Sequence, residues 1–313
     1  MFVQFLHSLP NTVTQGVIWG ILAIGVYITY KILNIPDMTV DGSIVTGMAV
    51  CAVLMTAGWN VWPAMLVATL AGMLAGLVTA VFHTFMGIPA ILAGILTQLI
   101  LWSVNLKIMG SANVTLPART YKVLLTQMLK TKSLLIIIPF AIVLVGLLYW
   151  FFGTEIGRAF RATGCNPDMS RAQGINTRMM TILGLALSNG IVALAGALLC
   201  QFQGYSDINS GRGAIVVGLA AIIIGEALFS RIARNFAVRL LTVIAGGIIY
   251  YLVYQIVIFL GLDADLLKML SALVVALFLA VPYWRNKVRA GKPIGINPAK
   301  PQDPTPEEVE HDA

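Results

Sequence analysis

Charged residues are scarce in this chain. Asp, Glu, Lys and Arg together make up 11% of the residues, and the mean hydropathy is +0.88. An ordinary soluble domain has about 25% charged residues, so this shortage excludes that class. Cysteine is also rare: Cys51, Cys165 and Cys200 are far apart and form no C-x-x-C pair. A protein built on a framework of disulfides is therefore excluded as well.

The sequence also lacks known nucleotide-binding, hydrolase and metal-binding motifs. The sequence has no Gly-x-x-x-x-Gly-Lys-Ser/Thr phosphate loop and no Gly-x-Ser-x-Gly nucleophile elbow. The three histidines, His7, His83 and His311, belong to no metal-ligand pattern. We predict no catalytic residue, no metal and no cofactor bound by this chain. If the chain takes part in ATP-driven work, a separate subunit must hydrolyse the ATP.

Acidic and basic side chains are nearly absent from the centres of the apolar runs, which argues against a proton- or cation-coupled secondary transporter. Glu226, near the end of one run, is interpreted as an interfacial ion pair with Arg231 or Arg234. The net charge of +7 comes from loops and chain ends. In a chain this apolar, that excess predicts contact with lipid headgroups and not with nucleic acid.

Long apolar runs are what the sequence does contain. A helix of about 20 residues crosses a bilayer, and several runs reach that length. We predict an all-α polytopic membrane protein with eight or nine transmembrane helices, some short or broken, over residues 1–282. The nine predicted spans are Thr12–Leu33, Gly42–Gly58, Ala64–Phe85, Ala90–Leu106, Leu134–Phe152, Thr177–Phe202, Gly213–Phe229, Ala237–Leu260 and Leu266–Val281.

Shorter segments within and between these spans predict local structure. Ala68, Gly72 and Gly76 form a ridge of small residues suited to close helix packing. Gly87–Pro89 is a break before the fourth span, and Tyr121–Leu129 is a possible surface helix. The end of the chain, 283–313, contains five prolines and an acidic terminus. It cannot bury enough apolar surface to fold, so we predict a disordered cytoplasmic tail.

The longest polar interruption in the central part of the chain is Gly153–Arg178, GTEIGRAFRATGCNPDMSRAQGINTR. Its second half predicts a short helix over Pro167–Gln173. Asn166 suits the N-cap, Pro167 the first helical position and Asp168 the positive end of the helix dipole. Gly174 stands where a left-handed stop belongs. From these residues alone, a well-capped loop with no partner fits as well as a docking element.

This stretch resembles a known family. The pattern G-R-x-x-R-A-x-G-x-N, then Ser170-Arg171, then G-I-N and a small-residue helix (LGLALSNGIVALAGALL), is similar to the coupling-loop region of ABC importer permeases. The subgroup is that of the branched-chain amino acid and ribose-type permeases. The N-terminal run TQGVIWGILAIGVYITYKILNIPDMTVDGSIVTG resembles the start of branched-chain amino acid permeases.

The resemblance implies a function and a set of partners. Two permease subunits would form the pathway, as a homodimer or with a paralogue, in the bacterial cytoplasmic (inner) membrane. Two ABC ATPase subunits, which bind ATP-Mg, would dock on the cytoplasmic face, and a solute-binding protein on the other. The loop 153–176 would be the cytoplasmic coupling loop. Its ATPase-coupling residues would be Arg158, Arg161, Gly164, Asn166, Asp168, Arg171 and Gly174.

Polar residues inside the spans are candidates for a translocation pathway. We name Gln98, Asn105, Ser188 and Asn189, with Gln201 as a further polar group. Contacts between helices are the alternative explanation for each. The short or broken segment Gly87–Asn105 favours a pathway, because irregular backbone at membrane depth is tolerated where it lines a cavity.

The distribution of basic residues predicts the orientation of the chain in the membrane. With the central loop inside, 13 basic residues lie inside and 7 outside, in line with the positive-inside rule. Five of those outside lie in Lys107–Lys132 and oppose it. The resemblance favours branched-chain or aromatic amino acids as solutes, and a sugar or nucleoside is the alternative. An ion-coupled secondary transporter and a structural membrane scaffold are the alternatives from other classes.

Overall fold

Helices account for most of the structure. The computed structural model describes residues 2–117, 121, 123–229 and 235–259, and the single residues 269, 273, 276 and 280. The chain divides into two units, Met1–Phe278 and Leu279–Ala313, and every element below belongs to the first. The helices are α1 Phe2–Tyr27, α2 Val40–Thr56, α3 Val61–Thr84, α4 Ala90–Met109, α5 Lys130–Gly153, α6 Glu155–Cys165, α7 Pro167–Ala172, α8 Thr177–Gln203, α9 Ala214–Phe229 and α10 Phe236–Phe259.

Within the described residues, six helices are long and apolar enough to cross a membrane. They are α3, α4, α5, α8, α10 and α1, which a π-helical turn at Ile28–Ile32 extends. Helices α2 and α9 are apolar but have only 17 and 16 residues. The predicted all-α polytopic membrane fold is confirmed. The ninth predicted span, Leu266–Val281, lies largely outside the described residues, and the predicted tail at 283–313 lies wholly outside them.

Helices α1 and α8 form the centre of the bundle. Their apolar windows are 89% and 78% buried, whereas those of α4 and α5 are 28% and 22% buried. A helix that is apolar on every side is either enclosed by protein or surrounded by lipid. The apolar faces of α4 and α5 are therefore available to lipid or to another subunit.

Glycines bring α2 and α3 into close contact with α8. A Cβ atom on Gly47 would lie 2.0 Å from the carbonyl oxygen of Ala193. One on Gly72 would lie 2.2 Å from the Cβ of Ala193, and one on Gly76 would lie 2.3 Å from the oxygen of Leu185. The predicted small-residue ridge on α3 is confirmed. Backbones approach this closely only where side chains are absent.

The short apolar helices α2 and α9 both begin in the interior of the bundle, beside each other. Ser43, in the first turn of α2, donates to Oδ1 of Asn189 in the middle of α8 at 2.6 Å. The carboxylate of Asp41 accepts the backbone N–H groups of Gly213 and Ile215, both at 2.9 Å, and so caps the start of α9. Because Asp41 also belongs to the first turn of α2, the two helix N-termini meet at this residue.

Helices α1–α3 are repeated in inverted orientation as α8–α10. Helix α2 runs parallel to α8 and α9 runs parallel to α1, while α1 and α8 are antiparallel. The short helices therefore run in opposite directions from a common start, as in inverted-repeat transporters. The sequences of Asp41–Val50 and Arg212–Ala221 agree at five of ten positions. The pairs that fix these directions are Ser43 with Asn189, Cys51 with Gln201, Gly218 with Val26, Glu226 with Lys31, Gly25 with Ser188, and Leu33 with Gly184.

The loop after α4 differs from the prediction. No described residue between 121 and 129 is helical, so the surface helix expected at Tyr121–Leu129 is wrong. The described residues 123–129 lie on the bundle as an irregular stretch: Leu125 is fully buried, and the N–H of Leu124 donates to Oε1 of Gln201 at 3.1 Å. Beside it, strand β1 (Asn113–Thr115) pairs antiparallel with β2 (Tyr205–Asp207), which was not predicted.

The close approach at Gly47 yields a stability prediction. Gly47→Ala should lower the free energy of unfolding by about 1–3 kcal/mol, the usual cost of overpacking a tight core. Thermal unfolding of the purified protein in detergent measures the effect. The matched control is Gly146→Ala in α5, where an added Cβ would meet nothing within 4 Å. Equal melting temperatures for the two variants would show that the α2–α8 contact is not tight.

Candidate functional site

Helices α6 and α7 form a polar knob, residues 155–172, at one end of the bundle. The hydroxyl of Thr154 caps α6 by accepting the N–H of Gly157 at 3.3 Å. Phe160 is fully buried and holds the inner face of α6 to the bundle. At Gly164 a Cβ would lie 1.7 Å from the carbonyl oxygen of Ile32. The knob therefore rests directly on the last residue of the π-helical turn.

Helix α7 is the short helix predicted from the sequence. Oδ1 of Asn166 accepts the N–H groups of Asp168 and Met169 at 3.1 and 3.0 Å, so this residue is the N-cap, as predicted. Gly174 has φ of +80°, the left-handed conformation expected at a stop. The helix ends at Ala172, one residue earlier than predicted, because Gln173 is the C-cap.

The three arginines of the knob have different environments. The side chain of Arg158 points to solvent. Arg161 folds back: its guanidinium donates to the carbonyl of Phe152 and lies 5.0 Å from the ring centre of Phe236. Arg171 is exposed, donates to Thr177 at 3.1 Å and pairs with Asp168 at 3.2 Å. Such an exposed pair contributes little to stability, so Arg171 can exchange it for an outside carboxylate.

Exposed apolar side chains on the knob were not predicted as functional. Met169 is 61% exposed at the tip of α7, and Ile156 on α6 is 48% exposed. A flexible methionine fits irregular apolar grooves on a partner. The signal was present in the sequence, since a methionine stands among polar residues in NPDMSRA. The knob therefore combines apolar and cationic groups on a rigid, capped element.

A second cluster of polar side chains lies inside the bundle. Asp37 is only 3% exposed, and Oδ2 accepts the side-chain amide of Asn189 at 2.7 Å. Its Oδ1 accepts the N–H of Thr39 at 2.9 Å. The hydroxyl of Thr39 lies 2.7 Å from that of Thr79, which in turn donates to Thr97 at 2.9 Å. These bonds join the start of α2 to α3, α4 and α8.

The burial of Asp37 was not predicted. The residue lies in NIPDMTVD, between the first two predicted spans, where a proline and two acids indicate a turn. No described basic side chain forms an ion pair with it. Glu226 does form an ion pair, but with Lys31 at 2.9 Å. The partners predicted for Glu226, Arg231 and Arg234, lie outside the described residues.

Comparisons with known proteins identify the family. The model of the family described as branched-chain amino acid transport system / permease component matches residues 8–282. The chain belongs to this permease family. A tyrosine transport system permease protein of Clostridioides difficile is 39% identical over 275 residues, which are 88% of this chain and 91% of that protein. No solved structure is detectably similar.

Two further relatives of the permease are more distant. An uncharacterized protein of Rickettsia prowazekii is 34% identical over 88% of this chain and 98% of its own length. An autoinducer 2 import system permease protein of Escherichia coli is 31% identical over 70% of this chain and 64% of its own length.

The polar residues that were predicted to line a pathway fall into two groups. Ser188 and Asn189 are fully buried in the permease, and both bond to other segments. Ser188 donates to the carbonyl of Gly25 at 2.7 Å, and Asn189 to Asp37 as described above. Gln98 and Asn105 lie instead in one cavity, between α2, α4 and the loop before α9. Gln98 and Asn105 thus share a cavity, whereas Ser188 and Asn189 join separate segments of the bundle.

Removing Asn189 should destabilise the permease. Asn189→Ala leaves Asp37 and Ser43 without their buried partner, at a cost of about 3 kcal/mol. Denaturant unfolding in detergent measures the change, with the exposed Asn113→Ala as control, for which we expect a change within about 0.5 kcal/mol. The double variant Asp37→Ala with Asn189→Ala should lose less than the sum of the single losses. Strict additivity would contradict the bond between them.

Cys165 offers a direct test of orientation. It is exposed on the knob, whereas Cys51 and Cys200 are buried. A membrane-impermeant maleimide should leave intact cells unlabelled and should label inside-out vesicles at Cys165. Ser111→Cys in a Cys165→Ser background, at the opposite end of the bundle, should give the reverse pattern. Labelling of Cys165 in intact cells would place the knob outside.

Proposed function

We propose that the chain is the transmembrane permease subunit of an ATP-driven, binding-protein-dependent importer of amino acids, branched-chain or aromatic. The observation that supports this most directly is the family match over 8–282, combined with a rigid knob between two spans. On this proposal the chain hydrolyses no ATP itself. A separate ABC ATPase binds ATP-Mg in the bacterial cytoplasm and moves the permease through the knob.

The knob has the properties that mechanical coupling requires. Asn166 and Gly174 fix the ends of α7, and Gly164 brings α6 against the carbonyl of Ile32. A push on α7 is therefore transmitted to the end of the first span. Met169 would enter a groove on the ATPase, while Arg158 and Arg171 would pair with carboxylates at its rim. Asp168 orients Arg171, and Arg161 holds α6 in place.

The other end of the bundle would meet the solute-binding protein. The β1–β2 pair and the described residues 123–129 lie there, near the end of α8. Since α8 crosses the membrane from the knob to this end, the two surfaces face opposite sides. The uncovered apolar faces of α4 and α5 would pack against a second permease subunit and against lipid.

Amino acids are the proposed solutes because of the relatives. The 39% identical protein is named for tyrosine transport, and the family for branched-chain amino acids. A sugar or nucleoside is the second candidate solute, since a more distant relative is named for import of autoinducer 2 and not of an amino acid. Competition between labelled tyrosine and unlabelled leucine, ribose or a nucleoside separates these candidates.

Met169→Glu with Arg171→Glu should break the coupling. Acids at these positions repel a carboxylate-lined groove, so we expect at least about a tenfold loss of co-purified ATPase, equivalent to about 1.4 kcal/mol. ATP-dependent uptake of radiolabelled tyrosine by proteoliposomes with the ATPase and binding protein should fall in parallel. The control, Met128→Glu with Lys132→Glu at the other end, should leave co-purified ATPase unchanged.

Two results would contradict the proposal. Full assembly and uptake in the knob variant would remove the knob from the coupling path. Wild-type uptake that needs no ATP and stops when a protonophore is added would identify an ion-coupled transporter instead.

A further inference from the structure

A cavity of about 190 Å³ opens where the two short helices begin. Asp41 and Gly42 of α2 line one wall, Gln98, Trp102 and Asn105 of α4 line a second, and Arg212 closes the third. The volume is below the roughly 300–1,000 Å³ of pockets that enclose drug-sized ligands, so it suits a small solute. Its position matches that of solute sites at breaks between discontinuous helices.

Asn105 lines this cavity and carries a buried polar atom without a partner. The residue is fully buried, and its Nδ2 donates to the carbonyl of Gly42 at 3.3 Å. Its Oδ1 has no hydrogen-bond partner. A buried amide oxygen without a partner is unfavourable, and a solute that donates a hydrogen bond to it would remove this penalty.

Charges of both signs face the cavity. Arg212 is exposed, and within the described part of the chain its guanidinium has no ion-pair or hydrogen-bond partner. Both oxygens of Asp41 accept backbone N–H groups at the start of α9, and the residue is half-buried at the cavity wall. A guanidinium binds carboxylates in a bidentate manner, and a carboxylate binds ammonium groups. The pair is therefore complementary to a zwitterion.

The rest of the cavity lining is mostly apolar. Trp102 is 46% exposed on α4, beside Leu99, and Val45 and Ile208 complete the lining. An indole ring stacks favourably on another aromatic ring. A solute with one carboxylate, one ammonium group and a planar apolar side chain meets all three features of the cavity.

We propose that this cavity is a binding site within the permease for a zwitterionic aromatic α-amino acid. Arg212 binds its carboxylate, Asp41 and Oδ1 of Asn105 bind its ammonium group, and Trp102 packs on its side chain. Gln98 lies at the wall and limits the size of the site. The assignment rests on the proposed function and adds a solute-recognising site to the permease itself, separate from that of the binding protein.

Transport by the full complex tests the site. Arg212→Gln should reduce ATP-dependent uptake of both tyrosine and leucine by about tenfold or more, since a charged partner of the solute is lost. Trp102→Ala should reduce tyrosine uptake by about fivefold and leucine uptake much less, since only stacking is lost. The matched controls are Lys107→Gln, an exposed cation on α4, and Trp62→Ala, an exposed tryptophan on α3, and both should transport like wild type.

A second measurement does not depend on transport. Gln98→Cys in a Cys165→Ser background places a reactive thiol at the wall of the cavity. Tyrosine should slow its labelling by a water-soluble maleimide, and tyramine, which lacks the carboxylate, should not. Equal protection by both, or by neither, would overturn the assignment of Arg212.

The outcomes separate this proposal from the proposed function. If the wild-type complex takes up no amino acid with ATP, the proposed function fails, whereas protection of the cysteine by tyrosine still supports the site. If uptake by wild type is normal and the Arg212 and Trp102 variants equal their controls, the site is overturned and the function stands.

Discussion

Two helices that begin inside a membrane protein must find partners for their first backbone N–H groups, because lipid offers none. In this permease Asp41 supplies both oxygens to the start of α9. Asp37 and Ser43 tie the start of α2 to Asn189. Without these groups neither short helix could begin inside the bundle. The cavity in front of Asp41 exists because both helices begin there.

The same constraint explains the glycine beside the start of α2. Because α2 and α9 are short, a non-helical segment precedes each of them inside the bundle. That segment must lie close to the neighbouring helices. Gly211 shows the result: a Cβ there would lie 2.0 Å from the carbonyl oxygen of Asp41. Glycine on one side and a polar cap on the other let irregular backbone remain at membrane depth without unpaired groups.

Much of the fold could be read from the sequence, since long apolar runs and cap residues act locally. The spans, the ridge at Gly72 and Gly76, and the capped helix after Asn166 are such cases. Contacts between residues far apart in the sequence could not be predicted from it. The burial of Asp37 depends on Asn189, which is 152 residues away, and Gln201 orders a loop 77 residues away. Helix α6 was also missed, because its sequence is mostly polar and its attachment depends on contacts with distant segments, such as that of Gly164 with Ile32.

The contact between Gly164 and Ile32 has a mechanical meaning. With no side chain between α6 and that carbonyl, there is no compressible layer at the joint. Beyond Ile32 the chain runs through seven residues to Val40, the first residue of α2, passing Asp37 on the way. A tilt of the knob would therefore be passed through Ile32 and these seven residues to the start of α2. There it would reach the place where the N-termini of α2 and α9 meet.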